Sequence, residues 1–339
     1  MNVFGLDIGS TSIKIASVQK EGKKFRLLSA GIAQTPPPGL DSEADKDLIA
    51  LATAIKKLHQ DAKINNKNVI VSLPESKIFS RVISLPNMNE DELAQALQWE
   101  AEQFIPLPIG DISLDSVVIS RGKAGKVEQM MEVLVVAAPK TLIKKFQHLM
   151  ELAGFRLVAI ETELIAVSRA LLSPESPAVV MVDFGAETTD IAIAQKGFVV
   201  FTRSIPAAGQ AFTRAISTGL SIDPHQAEKY KTAYGLAEKK LEGKVKKAIT
   251  PVVSQVVSEI QKAVQYWQEK EKEAIKTMVL AGGSANLPEV ISFLTKSLSL
   301  EVQVADPFAN LIKDEKQLVN LRQNAPLFAV AMGLAMKEV

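Results

Sequence analysis

The hydrophobic pattern of residues 3–33 predicts three consecutive β-strands. VFGLD comes first, IKIASVQ follows with alternating apolar and polar positions, and FRLLSAGIA comes after an EGKK turn. Residues 178–204 repeat this order with AVVMVD, TDIAIAQ and, after a KG turn, FVVFTRS. A chain of 339 residues exceeds what one core comfortably fills. The repeated pattern therefore predicts two lobes, each of which begins with an antiparallel meander.

The segment between the two meanders, residues 35–159, is predicted to be an inserted small α+β subdomain. It opens at TPPPG, a stiff polyproline joint, and then alternates helical and strand patterns of its own. Asn89 is a strong N-cap for one of its helices, and Gly154 ends another. The predicted helices cover residues 44–62, 89–104 and 140–154, and the predicted strands cover residues 68–73, 80–85, 111–120, 132–138 and 155–160.

Helical patterns follow the second meander. They predict helices at 207–218 and 223–235, the latter with Pro224 at its first position, and then a long charged helix pair at about 236–272. Charges of both signs are mixed along this pair, which is typical of a solvated face and not of a nucleic-acid patch. The strands KTMVLA and LEVQVA, with the helix PEVISFLTKS between them, are expected to complete the second lobe.

These patterns divide the chain into three parts. The first-lobe core is assigned to residues 1–34 and 160–178, together with a C-terminal helix at about 325–339. The second lobe is assigned to residues 179–324, with its helical part at about 207–272. The expected fold class is α/β.

The composition narrows the class of partner. With 47% hydrophobic residues, 23% charged residues and a net charge of +1, the sequence does not predict nucleic-acid binding through bulk charge. There is no cysteine, so disulfides and thiolate metal sites are excluded. The three histidines, His59, His148 and His225, are too scattered for a zinc-like site. The apolar runs are shorter than the roughly 20 residues that span a bilayer, so membrane contact is expected to be indirect.

Two stretches at the tips of the meanders are near copies of each other. DIGSTSIKIASVQK begins at Asp7 and DFGAETTDIAIAQK at Asp183, and they share the aspartate, the glycine and four later residues. A glycine lets a turn approach an anion, and backbone N–H groups and hydroxyls then donate hydrogen bonds to it. One D-x-G-x-[ST] segment is a common hairpin, but two copies in matching contexts indicate a phosphate clamp.

The two copies supply the predicted phosphate and metal contacts. Asp7 and Asp183 each end a strand just before its turn, and two facing carboxylates suit Mg²⁺. Lys14 adds a point charge. The predicted phosphate contacts are Gly9, Ser10, Thr11 and Ser12 in the first copy and Gly185, Glu187, Thr188 and Thr189 in the second.

Two further motifs are predicted to bind a nucleoside. LAGGSANLPEV places Gly282 and Gly283 between a strand and a helix, so their backbone can lie against a base or ribose, with Ser284 and Asn286 beside it. Read alone, this is a plain turn. In AEKYKTAYG, Glu228 and Lys231 lie three residues apart on one helical face, where they form either a surface ion pair or a contact to ribose and adenine. Gly209 is assigned to the same site.

The four motifs, in this order, resemble those of the actin-like ATPase superfamily. The resemblance implies a ribonuclease-H-like, duplicated two-lobe fold with Mg²⁺ and ATP or ADP in the cleft between the lobes. Residues 80–115, with SLP…EL…EAEQFIPLP, closely resemble the inserted subdomain of the type IV pilus assembly PilM family. The division protein family FtsA shares the layout and is the alternative. FtsA carries a membrane helix after the last motif, whereas this sequence stops at Val339, which favours PilM.

The resemblance to PilM also implies a location and partners. It implies a cytoplasmic protein, peripheral to the inner membrane, that binds the N-terminal peptide of a PilN-like membrane protein in a groove between the first lobe and the inserted subdomain. It further implies contact with pilus motor ATPases or a related secretion machine. The sequence leaves self-assembly into filaments or rings open.

Catalysis is expected to be slow. In the family, a glutamate at the start of the helix that leaves the first lobe orients the attacking water, and Glu163 is the matching position, with Glu161 as the alternative. Two other functions on the same core are considered. A small-molecule kinase would need a substrate motif, and none is present. A chaperone ATPase would need a further domain after the last motif.

Overall fold

The structure, a computed structural model, describes residues 2–121, 130–312 and 315–339. In these ranges the strands are β1 (Phe4–Ile8), β2 (Ser12–Glu21), β3 (Lys24–Gln34), β4 (Asn68–Leu73), β5 (Phe79–Pro86), β6 (Ile112–Arg121), β7 (Met130–Pro139), β8 (Arg156–Thr162), β9 (Val179–Phe184), β10 (Thr189–Gln195), β11 (Phe198–Ile205), β12 (Thr277–Ala281) and β13 (Glu301–Val304). The helices are α1 (Asp45–Asp61), α2 (Glu90–Phe104), α3 (Lys140–Ala153), α4 (Glu163–Leu171), α5 (Gly209–Leu220), α6 (Pro224–Tyr234), α7 (Lys244–Glu271), α8 (Val290–Leu298), α9 (Glu315–Arg322) and α10 (Ala329–Ala335).

The two large sheets repeat one topology. The first runs β3-β2-β1-β4-β8 and the second runs β11-β10-β9-β12-β13. In each, an antiparallel meander is followed by two parallel strands, which are β4 and β8 in the first sheet and β12 and β13 in the second. The prediction of an α/β fold with two lobes built on a repeated meander is confirmed.

The inserted subdomain is smaller than the predicted range 35–159. It consists of the three-stranded sheet β5-β7-β6 and the helix α2, whose Leu93 and Leu97 pack against that sheet. Strands β4 and β8 instead pair within the first sheet, and α1 and α3 pack on it. The predicted boundaries are wrong because β4 lies between β1 and β8 in the first sheet. Five of the six residues of β4 are buried, as expected of a strand inside a covered parallel sheet.

The predicted charged helix pair at about 236–272 is one helix. A short 3-10 turn ends at Gly243, and α7 then continues without a break to Glu271. Its apolar positions, among them Val245, Ile249 and Val256, are fully buried in the second-lobe core, which explains why one long helix forms here. Among the described residues, no helix, α7 included, is both long and apolar enough to cross a bilayer.

The C-terminal helix α10 packs into the first lobe, against β1, β2 and α4. Two glycines permit this close contact. A Cβ atom on Gly5 would lie 2.6 Å from the backbone nitrogen of Ala335, and one on Gly333 would collide with the backbone oxygen of Ala166. The start of the chain and its C-terminal helix therefore share one core, and both reach the space between the lobes.

Candidate functional site

A cavity of about 550 Å³ lies between the two lobes and is called the cleft below. Its volume falls within the range of small-molecule binding sites, roughly 300–1,000 Å³. The structure brings together in this one cavity the sequence-predicted residues Asp7, Gly9, Ser10, Thr11, Ser12, Lys14, Glu163, Asp183, Gly185, Glu187, Thr188, Gly209, Glu228, Lys231, Gly282, Gly283, Ser284 and Asn286. Motifs from opposite ends of the sequence, from Asp7 to Asn286, thus form one site.

The turns of the two hairpins close with the same hydrogen bond. The N–H of Gly9 donates to the backbone oxygen of Ser12 at 3.1 Å, and the N–H of Gly185 donates to that of Thr188 at 3.0 Å. Thr35 holds the first turn from behind, because its hydroxyl donates to the Gly9 oxygen at 2.7 Å. The hydroxyl-bearing residues at the tip of the first turn stay exposed, so they are free to donate to an anion in the cleft.

Asp7 has a cationic partner in its own hairpin. It faces Lys14 across the β1–β2 pair, and the Lys14 Nζ lies 3.0 Å from the Asp7 Oδ2. Both side chains are largely buried, with 6% and 12% of their surface exposed respectively. The pair therefore places one compensated carboxylate and one ammonium group at the first-lobe side of the cleft.

Asp183 faces another carboxylate at the position where Asp7 faces a lysine. It faces Asp190 across the β9–β10 pair. Burial, together with the charges of Asp190 and Asp7, raises the pKa of Asp183 to about 7, although Lys14 partly opposes this rise. Burial raises the pKa of Asp190 to about 6. Its Oδ2 accepts a hydrogen bond from the Thr188 hydroxyl at 2.9 Å, but its Oδ1 has no hydrogen-bond partner among the described residues.

Glu163 lies at the first position of α4 and is interlocked with Glu75. The N–H of Glu75 donates to the Glu163 Oε2 at 3.2 Å, and the N–H of Leu164 donates to the Glu75 Oε1 at 3.1 Å. Burial, reinforced by the charge of Asp190, raises the pKa of Glu75 to about 8. Burial and the charges of Asp190 and Asp7 also raise the pKa of Glu163 well above its ordinary value.

The donor set of the cleft fits a magnesium ion. Carboxylates from both lobes meet in the cleft, and the Oδ1 of Asp190 is buried without a partner among the described residues. No group of three or more His, Cys, Asp or Glu side chains in the described ranges forms a ready-made metal site. Mg²⁺ does not need one, because it keeps several waters and is held by one or two carboxylates together with phosphate oxygens.

The loop after β12 approaches the second hairpin closely. Gly282 adopts φ +82°, and a Cβ atom there would lie 2.6 Å from the Phe184 oxygen and collide with the Oδ1 of Asp183. The Ser284 hydroxyl and the N–H of Gly209 both donate to the Gly185 oxygen at 3.2 Å. Two separate segments, the loop after β12 and the start of α5, therefore fix the position of the second turn.

Helix α6 joins the site through Lys231. Its Nζ donates to the Gly209 oxygen at 3.1 Å, the Thr213 hydroxyl at 3.0 Å and the Glu228 Oε2 at 2.7 Å. The Lys231 ammonium thus holds α6 to α5, while half of the Glu228 side chain remains exposed toward the cleft. The ion pair and the cleft position predicted for these two residues are both present.

Two predictions about individual residues are wrong. Thr189 is fully buried and its hydroxyl donates to the Ala207 oxygen at 2.6 Å, so it does not reach the cleft. Glu161, the alternative catalytic residue, is bound by Arg169 at 2.6 Å and Lys337 at 2.8 Å and does not line the cleft. Although burial raises its pKa, these two cations bring the pKa of Glu161 below its ordinary value.

Several residues of the cleft were missed by sequence reasoning. Asp190 could have been found, because it occupies the position of Lys14 when the two hairpins are aligned. The other missed residues of the cleft are Ala186, Gln210, Thr232, Leu287, Pro326, Leu327 and Val330. Glu75 does not line the cleft but contacts Glu163, and no local signal marks it, because the fold brings the two residues together.

Comparisons with known proteins agree with this architecture. The family model of type IV pilus assembly protein PilM matches residues 5–339. The cell division protein FtsA of Neisseria meningitidis serogroup B is 25% identical, covering 97% of this chain and 88% of FtsA. FtsA of Bacillus subtilis is 23% identical, covering 98% of this chain and 86% of FtsA.

Solved structures show the same two-lobe fold. A chain of a PilM–PilN type IV pilus biogenesis complex matches with a TM-score of 0.86 and 26% identity, covering 99% of this chain and 98% of that one. The ethanolamine utilization protein EutJ of Carboxydothermus hydrogenoformans matches with a TM-score of 0.60 and 16% identity, over 99% and 89%. MreB5 of Spiroplasma citri bound to ADP matches with a TM-score of 0.53 and 15% identity, over 98% and 94%. The predicted actin-like fold is confirmed.

Proposed function

This chain belongs to the family of type IV pilus assembly protein PilM, and we propose that it is an ATP-binding scaffold of type IV pilus assembly. One observation carries the proposal. Two aspartate-led hairpins, one from each lobe, converge on a single cleft of about 550 Å³. Backbone N–H groups, hydroxyls, a lysine and paired carboxylates on opposite walls are the groups that hold a magnesium-bound phosphate chain.

Each part of the nucleotide has residues that suit it. We assign the phosphates to the two turns and Lys14, and Mg²⁺ to Asp7 and Asp183, with Asp190 beside them. We assign the adenosine to the Gly282–Gly283 backbone and Glu228. Bound Mg²⁺ supplies positive charge that neutralises the phosphates. MreB5, which shares the fold, was solved with ADP, so the architecture is compatible with an adenine nucleotide.

We assign the orientation of the attacking water to Glu163. It stands in the cleft at the start of α4, and it is held by the N–H of Glu75. Burial and neighbouring carboxylates raise the pKa of Glu163 well above its ordinary value, which makes its ionised carboxylate a stronger base toward the attacking water. The turnover we propose is slow, with a role in which the bound nucleotide matters more than its hydrolysis.

The partner we propose is the N-terminal cytoplasmic peptide of a PilN-like inner-membrane protein. The match to a PilM–PilN complex, at 26% identity and over nearly the whole of both chains, supports this choice. The proposed groove lies between the first lobe and the inserted subdomain, so closure of the lobes on a nucleotide changes its shape. The protein is then cytoplasmic and peripheral to the inner membrane. Contact with motor ATPases and self-assembly remain predictions.

Peptide capture tests the scaffold function. A fluorescent peptide that copies the N-terminus of a neighbouring PilN-like gene product is titrated with the full chain in Mg-ATP, in Mg-ADP and without nucleotide. We expect saturable binding whose affinity changes with nucleotide state, and no binding of a scrambled peptide. Failure to bind in every state would contradict the scaffold function.

The similarity to FtsA favours one other candidate, a cytoskeletal ATPase of cell division. Nucleotide-dependent sedimentation of the full chain with anionic lipid vesicles, together with absence of binding to the PilN-like peptide, would favour that candidate. We rank this division candidate second because the PilM family model matches residues 5–339.

A further inference from the structure

The junction segment, Pro74–Ser80, connects the nucleotide-facing part of the first lobe to the inserted subdomain. It leaves β4 of the first sheet, forms a 3-10 turn at Glu75–Lys77 and enters β5 of the three-stranded sheet. Any displacement of the inserted subdomain at this entry point must pass through the segment. Its contacts are therefore one link between the inserted subdomain and the rest of the molecule.

Glu75 fastens the start of the junction segment to α4. Its backbone N–H donates to the Glu163 Oε2 at 3.2 Å, and its own Oε1 accepts from the N–H of Leu164 at 3.1 Å. The two hydrogen bonds run in opposite directions between the same two segments. Glu163 therefore cannot reorient without losing a bond to the junction segment.

The other end of the junction segment is fastened to the second lobe. The hydroxyls of Ser80 and Thr202, on β11, lie 2.7 Å apart. Thr202 is two residues from Ser204, which faces Asp190 across the β10–β11 pair. The junction segment thus lies between α4 and β11. Glu163 of α4 lines the cleft, and Ser204 of β11 faces Asp190, which also lines it.

Helix capping alone does not explain a glutamate at this position. The Thr162 side chain already caps α4 by accepting from the N–H of Ile165 at 3.3 Å. Glu75 is buried, with 7% of the residue exposed, and its Oε1 accepts from a different donor, the N–H of Leu164. In addition to capping α4, the side chain therefore ties the junction segment to the residue next to Glu163.

We propose that Glu75 is a positioning residue that fixes the Glu163 carboxyl in the cleft and couples it to the inserted subdomain through the junction segment. The inference rests on the proposed function of the cleft and adds a route from the nucleotide to the peptide groove. It makes the position of Glu163 and the entry of β5 parts of one hydrogen-bonded unit.

Hydrogen exchange of the full chain, followed by mass spectrometry without nucleotide, tests the link directly. We expect Glu163→Ala to raise the exchange rates of amides 75–80 by at least about fivefold, because the Glu75 N–H loses its acceptor. Glu187→Ala, which removes another cleft carboxylate that does not touch the segment, should leave these amides unchanged. Equal exchange of residues 75–80 in wild type and Glu163→Ala, or an equal rise in both variants, would overturn the proposal.

Kinetics of Glu75 variants test its effect on the reaction. We expect Glu75→Ala to lower kcat by about tenfold while the Kd for Mg-ADP stays within about twofold, because the phosphate and adenosine contacts are untouched. Glu75→Gln, which still accepts from Leu164, should recover kcat to within about threefold of wild type. An unchanged kcat in Glu75→Ala, or equal losses in kcat and nucleotide affinity, would overturn the positioning role.

The two experiments separate the inference from the proposed function. If the wild-type chain fails to bind adenine nucleotides, the proposed function is wrong, and the exchange experiment still decides the link between Glu75 and Glu163. If nucleotide binds but the junction segment does not respond to Glu163→Ala, the proposed function stands and the inference fails.

Discussion

Asp183 and Asp190 face each other on the second hairpin at the positions that Asp7 and Lys14 occupy on the first. The first pair is compensated by an ion pair of 3.0 Å, whereas the second brings the buried Asp190 carboxyl and the half-buried Asp183 carboxyl together. The two hairpins therefore share a fold but differ in charge: the carboxylate of the first is paired with an ammonium group, and that of the second faces another carboxyl. The second half is the one that gains most from a bound cation.

The carboxyl pair makes stability depend on pH. The folded-state pKa values of about 7 for Asp183 and about 6 for Asp190 lie above the ordinary aspartate value, so the folded chain holds protons that the unfolded chain has released. Stability should therefore fall as pH rises from about 4 to about 8. Asp190→Asn should remove much of this fall and be roughly 2 kcal/mol more stable than wild type at pH 8, without nucleotide.

Urea unfolding at several pH values measures this difference. Asp115→Asn, which changes an exposed carboxylate on β6, is the matched control and should follow the wild-type pH profile. Parallel pH profiles for wild type and Asp190→Asn would contradict the prediction.

Gly282 and Gly283 are adjacent but should respond differently to alanine. At Gly282, φ is +82° and the new Cβ would meet Asp183 and Phe184, so we expect a loss of roughly 2–3 kcal/mol in unfolding free energy. At Gly283, a Cβ meets no atom within 4 Å, so stability should be retained. Nucleotide affinity should nevertheless fall by about tenfold in Gly283→Ala, because the methyl group enters the proposed adenosine surface. Equal stability of the two variants, measured by urea unfolding, would refute this distinction.

Glu163→Gln should separate turnover from binding. The glutamine still accepts from the Glu75 N–H, so the side chain stays in place, but it cannot take a proton from water. We expect kcat to fall by about 100-fold and the Kd for Mg-ADP to change by less than about twofold. A phosphate-release assay combined with a binding titration measures both. Full turnover in Glu163→Gln would remove Glu163 from the catalytic role.

Arg169 and Lys337 should contribute unequally although both bind Glu161. Arg169 makes two hydrogen bonds of 2.6 Å to that carboxylate and a third, of 2.9 Å, to the Gly333 oxygen. Arg169→Ala leaves a buried carboxylate poorly paired and should cost roughly 3 kcal/mol of stability. Lys337, near the end of the chain, makes a single contact of 2.8 Å, and Lys337→Ala should cost about 1 kcal/mol or less. Thermal unfolding of both variants compares them, and a larger loss in Lys337→Ala would contradict the assignment.

Local sequence patterns predict much of this structure. The two meanders and the two aspartate-led turns could be recognised because each is encoded by adjacent residues. Comparing the copies by identity alone hid two facts. Asp190 was missed because its counterpart is Lys14, and Thr189 was misassigned although its counterpart is Ile13, a fully buried position.

The remaining errors concern contacts between distant segments. Strand β4 was placed in the inserted subdomain because the sequence shows its apolar character but not its pairing with β1 and β8. Glu75 reaches Glu163 across 88 positions of the chain, and no periodicity or motif marks that contact. Which strands pair, and which distant residue a buried side chain contacts, depend on the assembled core. A single sequence does not show that core.

Calorimetric titration of the full chain with ATP tests the central claim most directly. With Mg²⁺ present, we expect one binding site per chain, with affinity at least about tenfold weaker in EDTA or in the double variant Asp7→Asn, Asp183→Asn. Binding that is indifferent to Mg²⁺ and to both aspartates, or a wild-type chain that binds neither ATP nor ADP, would contradict the conclusion that the two hairpins form one magnesium nucleotide site.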